Sequence, residues 1–171
     1  MRLVLRTIDG ICLVGGAVAS AAIAILAVML IAEVLLTSFA NWSQPWAVEY
    51  SGYLLAAGLF AGSGWTLRTG GHIRVNAAVM LLPERLQKAF DLAATVFVLG
   101  LLIYVSVALT ENAIRSFELG SVSYYPTRTP LFYPQFVLAA SFWVLTLAML
   151  ARLLRLITGD AAEIEPPAAK A

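Results

Sequence analysis

The sequence predicts an all-α membrane protein with four transmembrane helices and a short interfacial helix or elbow between the second and the third. Three observations predict it. Hydrophobic residues make up 61% of the 171-residue chain and charged residues only 12%, roughly half the charged share of ordinary soluble domains. A single soluble core of this size cannot hide so much apolar surface, so lipid is the solvent that fits. Four apolar stretches each reach the ~20 helical residues that a hydrocarbon core requires, and the basic residues gather in alternating connections between them.

The first stretch covers about 11–36, the second 46–67, the third 86–113 and the fourth 131–154. Helix is the default in each, because lipid supplies no partners for open strand edges. Residues 1–158 thus make one four-helix membrane domain. Residues 159–171, with Asp160, Glu163, Glu165, Pro166 and Pro167, read as a flexible cytoplasmic tail. The start of the first stretch shares features with a signal peptide, with Arg2 and Arg6 before an apolar run and Ala17-Val18-Ala19 inside it. The run continues for about 17 residues past Ala19, so an uncleaved span is expected.

Orientation follows from the basic residues. Arg2, Arg6, Arg68, Arg74, Arg85, Lys88, Arg152, Arg155 and Lys170 fall on one side, and only Arg115 and Arg128 on the other. Both termini and the middle connection should therefore face the cytoplasm. Trp42 and Trp46 bracket the first outer connection, and Tyr124, Tyr125, Phe132 and Tyr133 flank the second. Such rings favour the headgroup zone. Pro126, Pro130 and Pro134 break and restart the backbone there, and Pro130 suits the first turn of the last helix.

A net charge of +1 gives no bias toward nucleic acid. Cys12 and His72 are the only cysteine and histidine. No disulfide, bis-histidine haem or dithiol site can be built from them, and no metal or other cofactor is expected. Paired buried carboxylates are also lacking, which disfavours an enzyme.

Charges near the spans divide by depth. Asp91 and Glu111 lie 20 residues apart, about 30 Å along a helix, so they mark opposite interfaces. Lys88 stands close enough to Asp91 for an ordinary interfacial pair. Glu33 lies near the outer end of the first span. It reads as a headgroup-level carboxylate, or as an intramembrane ion-pair partner for an arginine or helix end of another subunit. Glu49 falls in the first turn of the second span, where it complements the helix dipole. Gly58 and Gly62 form a Gly-x-x-x-Gly pair near Gly52, Ala56 and Ser63, and Gly16, Ser20 and Ala24 repeat the spacing on the first span. Small residues so placed let helices approach closely, within the unit or against a partner.

The middle connection runs from Trp65 to Pro83. Gly70-Gly71 permits a sharp reversal after Arg68. Ile73, Val75, Val79, Leu81 and Leu82 are too apolar for a free loop, so an interfacial elbow is expected. Asn76 would cap it and Pro83 end it, while Arg68, Arg74 and Arg85 would reach anionic lipid headgroups.

Trp46, Glu49, Gly58, then Leu67-Arg68-x-Gly70-x-His72-Ile73-x-Val75 and Pro83 form a pattern that resembles the small, DctQ-like membrane subunit of tripartite ATP-independent periplasmic (TRAP) transporters. Length, span number and orientation agree over nearly the whole chain. The fourth span departs by lacking a glycine that many relatives have. The resemblance implies a non-catalytic subunit of a sodium-driven secondary transporter, a symporter that imports small organic acids. Its implied partners are a large multi-span membrane subunit, which it would scaffold, and a periplasmic solute-binding protein. By the same analogy Glu49, Arg68, Gly70, Gly71 and His72 would hold the elbow and meet the large subunit, with His72 an anchoring hydrogen-bonder. A different reading is an autonomous four-helix transporter with Glu33 as its coupling carboxylate.

Overall fold

The computed structural model of the chain describes residues 2–71 and 83–159. Five helices follow one another: α1 (Arg2–Ala40), α2 (Ala47–Ala61), α3 (Ser63–Arg68), α4 (Glu84–Glu118) and α5 (Phe132–Thr158). The helices α1, α4 and α5 are long and apolar enough to cross a membrane. They overrun the expected spans at both ends or nearly so: α1 has 39 residues and α4 has 35, about 58 and 52 Å at helical rise.

The stretch expected as the second span, 46–67, is divided into α2 and α3 at Gly62. That residue keeps helical dihedrals, φ −79° and ψ −14°, and its carbonyl still accepts from the Thr66 N–H at 3.0 Å. The interruption has local causes. Glycine is a weak helix former, and the Ser63 hydroxyl donates to the Phe60 carbonyl at 2.6 Å, a side-chain bond that competes with the helical ladder.

Helix ends form where the expected punctuation stands. Gly70 adopts φ 70°, with its N–H donating to Leu67 and the Gly71 N–H to Thr66 at 2.9 Å, which is the Schellman arrangement that closes a helix. The expected reversal at Gly70-Gly71 begins there. Gly120 closes α4 the same way, with φ 58° and the Ser121 N–H on the Ser116 carbonyl. Pro83, extended at ψ 147°, precedes α4, and Glu84 occupies its first turn. His72, the elbow residues Ile73, Arg74, Val75 and Asn76, and the tail from 160 onward lie outside the described residues.

The buried residues of α1 are Leu5, Ile8, Cys12, Ala19, Ala22 and Leu26, and those of α4 are Thr95, Leu102, Ser106, Ala113 and Ser116. Both series step by three, four or seven. That is the narrow seam of helices packed with a 3.5-residue period. α5 is central. It buries Ala148, Met149, Ala151 and Arg152 in close succession, more than one face, and touches α1, α2, α3 and α4. Among the described residues α4 packs on α5 alone. The α4–α5 seam carries a buried hydrogen bond between the Ser106 and Thr146 hydroxyls at 3.0 Å and another from Trp143 Nε1 to Thr110 at 3.0 Å.

Glycines account for the close approach of α1 to α2 and α3. A Cβ at Gly15 would lie 2.6 Å from the Ala61 carbonyl oxygen, and one at Gly58 2.4 Å from Ile23 Cδ1. One at Gly62 would lie 3.0 Å from Ala19 Cβ. The Gly58–Gly62 pair therefore packs inside the unit, on α1. Away from these seams the large apolar side chains are exposed, among them Val28, Leu59, Phe97 and Phe136, as expected of a surface that meets lipid or protein rather than water.

Candidate functional site

Two polar nodes stand at opposite ends of the helix bundle, and each gathers residues from distant parts of the chain. The first lies at the end bearing the basic residues. Asp9 of α1 is clasped by two guanidinium groups, Arg68 at the last turn of α3 and Arg155 of α5. Arg155 Nη2 reaches Asp9 Oδ1 at 2.8 Å. The side chains of Arg68 and Arg155 are only 9% and 8% exposed, and that of Asp9 22%, so three helices share one desolvated charge cluster.

One helical turn away on α5, Arg152 points to the other side. Its Nη2 meets Asp91 of α4 at 2.6 Å and its Nε reaches Thr95 Oγ1 at 3.4 Å. Asp91 thus takes Arg152 as its partner, where the sequence led to Lys88, which is exposed. The reason is presentation: α5 holds the planar guanidinium of Arg152 buried against α4 beside Asp91, whereas the flexible ammonium of Lys88 extends into the exposed surface. In this way the pair Arg152 and Arg155, three residues apart, ties α5 to α4 on one side and to α1 and α3 on the other.

The second node lies at the opposite end of the bundle. Glu49, in the first turn of α2, is 3% exposed. It accepts from the Tyr53 hydroxyl at 2.7 Å and from the Thr127 hydroxyl in the α4–α5 connection. In the same connection the Thr129 hydroxyl reaches the Tyr50 hydroxyl at 3.4 Å. The connection is held in shape for this by a Val122–Pro130 bridge, by the Ser123 N–H on the Thr129 carbonyl at 2.9 Å, and by Arg128 at φ 48°. A carboxylate that also faces the positive end of its helix is well placed to hold such a loop. Glu49→Gln, which keeps the shape and removes the charge, should loosen the 119–131 connection. Faster amide exchange across those residues in detergent, with α1 unchanged, is the expected readout; equal exchange would refute the anchoring.

Glu33 serves the α1–α2 connection at the same end. Its carboxylate accepts from the Ser43 hydroxyl at 2.9 Å, the Gln44 N–H at 3.0 Å and the Thr37 hydroxyl at 3.5 Å. These donors come from its own helix and the turn before α2, whose N-terminus has no side-chain cap of its own.

Of the residues singled out from the sequence, the structure brings Arg68 into the first node and Glu49 into the second, while Gly58 and Gly62 lie in the α1–α2 seam. The sequence reading missed Asp9, Arg152 and Arg155 as a linked set, taking the arginines as orientation charges alone. The signal present in the sequence was an acidic residue near one end of two spans and an Arg-x-x-Arg pair near the same end of a third. Among the described residues no three of His, Cys, Asp and Glu gather in a manner that would hold a metal ion.

Comparison with known proteins adds a family. Residues 7–159 match the family described as "Tripartite ATP-independent periplasmic transporters, DctQ component". No curated protein and no solved structure matches the chain.

Proposed function

The chain belongs to the DctQ component family of tripartite ATP-independent periplasmic transporters, and from that premise we propose that it braces the large membrane subunit of a sodium-driven importer of small organic acids. As a member of that family it is a small membrane subunit of a transporter rather than an enzyme. In the proposed arrangement a periplasmic binding protein delivers the solute, the large subunit carries it across, and this chain stays fixed in the inner membrane.

The observation that carries the bracing role is the inner charge cluster. Asp9, Arg68 and Arg155 lock α1, α3 and α5 together, and Arg152 with Asp91 adds α4. Buried ion pairs between helices specify one arrangement and resist sliding, a property suited to a scaffold. Glu33 supports the same reading, because its carboxylate is engaged in fixing a connection of its own chain. In this proposal α2 and α3 together make the fourth crossing, and both termini, the 72–82 elbow and the tail face the cytoplasm. Arg68, Gly70, Gly71 and His72 set the elbow against the large subunit, and Glu49 does so indirectly by shaping the outer connections.

The test is purification of the tagged chain in mild detergent with its native neighbours. A large multi-span protein in stoichiometric amount is the expected result, and Arg68→Ala or His72→Ala should lower its yield while all spans still insert. Recovery of this chain alone or as a homodimer would refute the subunit role.

A further inference from the structure

We infer that the groove between the N-terminal halves of α2 and α5 holds a phospholipid whose headgroup is a primary amine. Its ammonium donates to Gln135 Oε1, and one acyl chain lies along the groove floor. The site belongs to this chain alone and stands or falls apart from the bracing role.

Two helices and a connection build the groove. Tyr50, Leu54 and Ala57 line it from α2, Thr129 from the α4–α5 connection, and Gln135 and Leu138 from α5. Its volume is about 590 Å³, within the ~300–1,000 Å³ of small-ligand sites. A helix about 10 Å across fills such a volume within two turns, so a spanning partner helix cannot be seated in it. An extended acyl chain can. Tyr133 and Val137, which also line it, are 64% and 44% exposed, so the groove opens on the surface that meets lipid.

Gln135 calls for a headgroup as well as a hydrocarbon chain. Among the described residues its Oε1 is buried and has no hydrogen-bond partner. A buried acceptor left without a hydrogen is unfavourable, and acyl chains supply none. Depth selects what can. α5 has 27 residues, about 40 Å at helical rise, against about 30 Å of hydrocarbon. About 5 Å of helix therefore overhangs at each end. Gln135 stands three residues from the start of α5, about 4.5 Å, and its side chain leans toward that start. It lies where hydrocarbon gives way to headgroups.

The surroundings select a cation that carries N–H. Among the described residues no lysine or arginine lines the groove, so a purely anionic headgroup meets no counter-charge there. Tyr50, Tyr53 and Tyr133 line it instead, and tyrosine faces attract an alkylammonium. Tyr53 also donates to the Glu49 carboxylate at 2.7 Å, which leaves a negative charge one side chain behind the wall. A quaternary ammonium would suit the rings and the carboxylate but has no hydrogen for Oε1. A primary ammonium has three.

The experiment titrates the purified full chain in mild detergent with dioleoyl phosphatidylethanolamine, phosphatidylcholine and phosphatidylglycerol in turn. Native mass spectrometry counts the bound lipid. The amine lipid should bind roughly tenfold more tightly than the choline lipid, the effect of one charge-assisted hydrogen bond. Gln135→Leu, which keeps the bulk and deletes the acceptor, should abolish that preference while both lipids still bind. Ala57→Phe, which fills the groove, should remove both; Leu59→Phe, at an exposed position outside it, should leave binding unchanged. Equal affinity for the three lipids, tighter binding of the glycerol lipid, or a preference that survives Gln135→Leu overturns the site. A photo-cross-linker in place of Tyr133, in membranes that hold the other transporter subunits, should join to phospholipid. Joining only to protein would show that a partner covers the groove, and overturns the site as well. None of these outcomes bears on recovery of the large subunit, which tests the bracing role separately.

Discussion

Asp9→Asn is expected to destabilise the folded chain by about 3–5 kcal/mol, the range for removing one partner from a buried ion pair. The carboxylate faces Arg155 at 2.8 Å and Arg68, and both guanidinium groups are more than nine-tenths covered. Asparagine fits the same space but carries no charge, so two cations would be left facing each other in a low-dielectric setting. The damage comes from the stranded arginines more than from the lost bond. A second substitution separates these effects: Arg155→Met in the Asp9→Asn background should regain part of the loss, because an apolar side chain relieves one stranded charge. Thermal unfolding in detergent of the two single variants and the double variant measures the coupling. Additive losses would show that Asp9 and Arg155 do not act as a pair.

Gly15→Leu should cost about 3 kcal/mol, at the upper end of ordinary overpacking, and should force α1 away from α2. A Cβ at this position would stand 2.6 Å from the Ala61 carbonyl oxygen, a backbone atom that cannot rotate aside. Gly58→Leu also introduces a clash, but its nearest obstacle is the tip of Ile23, which has other rotamers available, so a smaller loss is expected. Gly10→Leu on α1 is the control, because nothing lies within 4 Å of its added Cβ. The melting temperatures in detergent should therefore fall in the order Gly10, Gly58, Gly15, with Gly15 lowest. Equal effects at positions 10 and 15 would contradict the close α1–α2 approach.

The candidate site was only partly legible in the sequence. Glu49 and Arg68 stood out from their surroundings and do lie at polar nodes. Their partners did not stand out. Thr127 is 78 residues from Glu49 and Arg155 is 146 from Asp9, so no local pattern links them. Lys88 drew attention as Asp91's partner because it is near in the chain, yet a guanidinium 61 residues away has the better geometry. The 46–67 stretch reads as one span, and the break at Gly62 arises from a glycine followed by a hydroxyl that bonds the helix backbone.

Apolar content and span length were enough to dictate a helical membrane protein and the approximate positions of its three long helices. Those properties depend on local backbone hydrogen bonding and transfer to lipid, which each segment satisfies alone. Glycine caps and Pro83 likewise act within a few residues. Packing decided the rest: α5 as the central helix, α4 as the one left open on its far side, and Arg152 and Arg155 aimed in opposite directions. Each of these depends on how the helices rotate and slide against one another. A period of 3.6 residues says which side chains share a face, and only contact between helices says what that face meets.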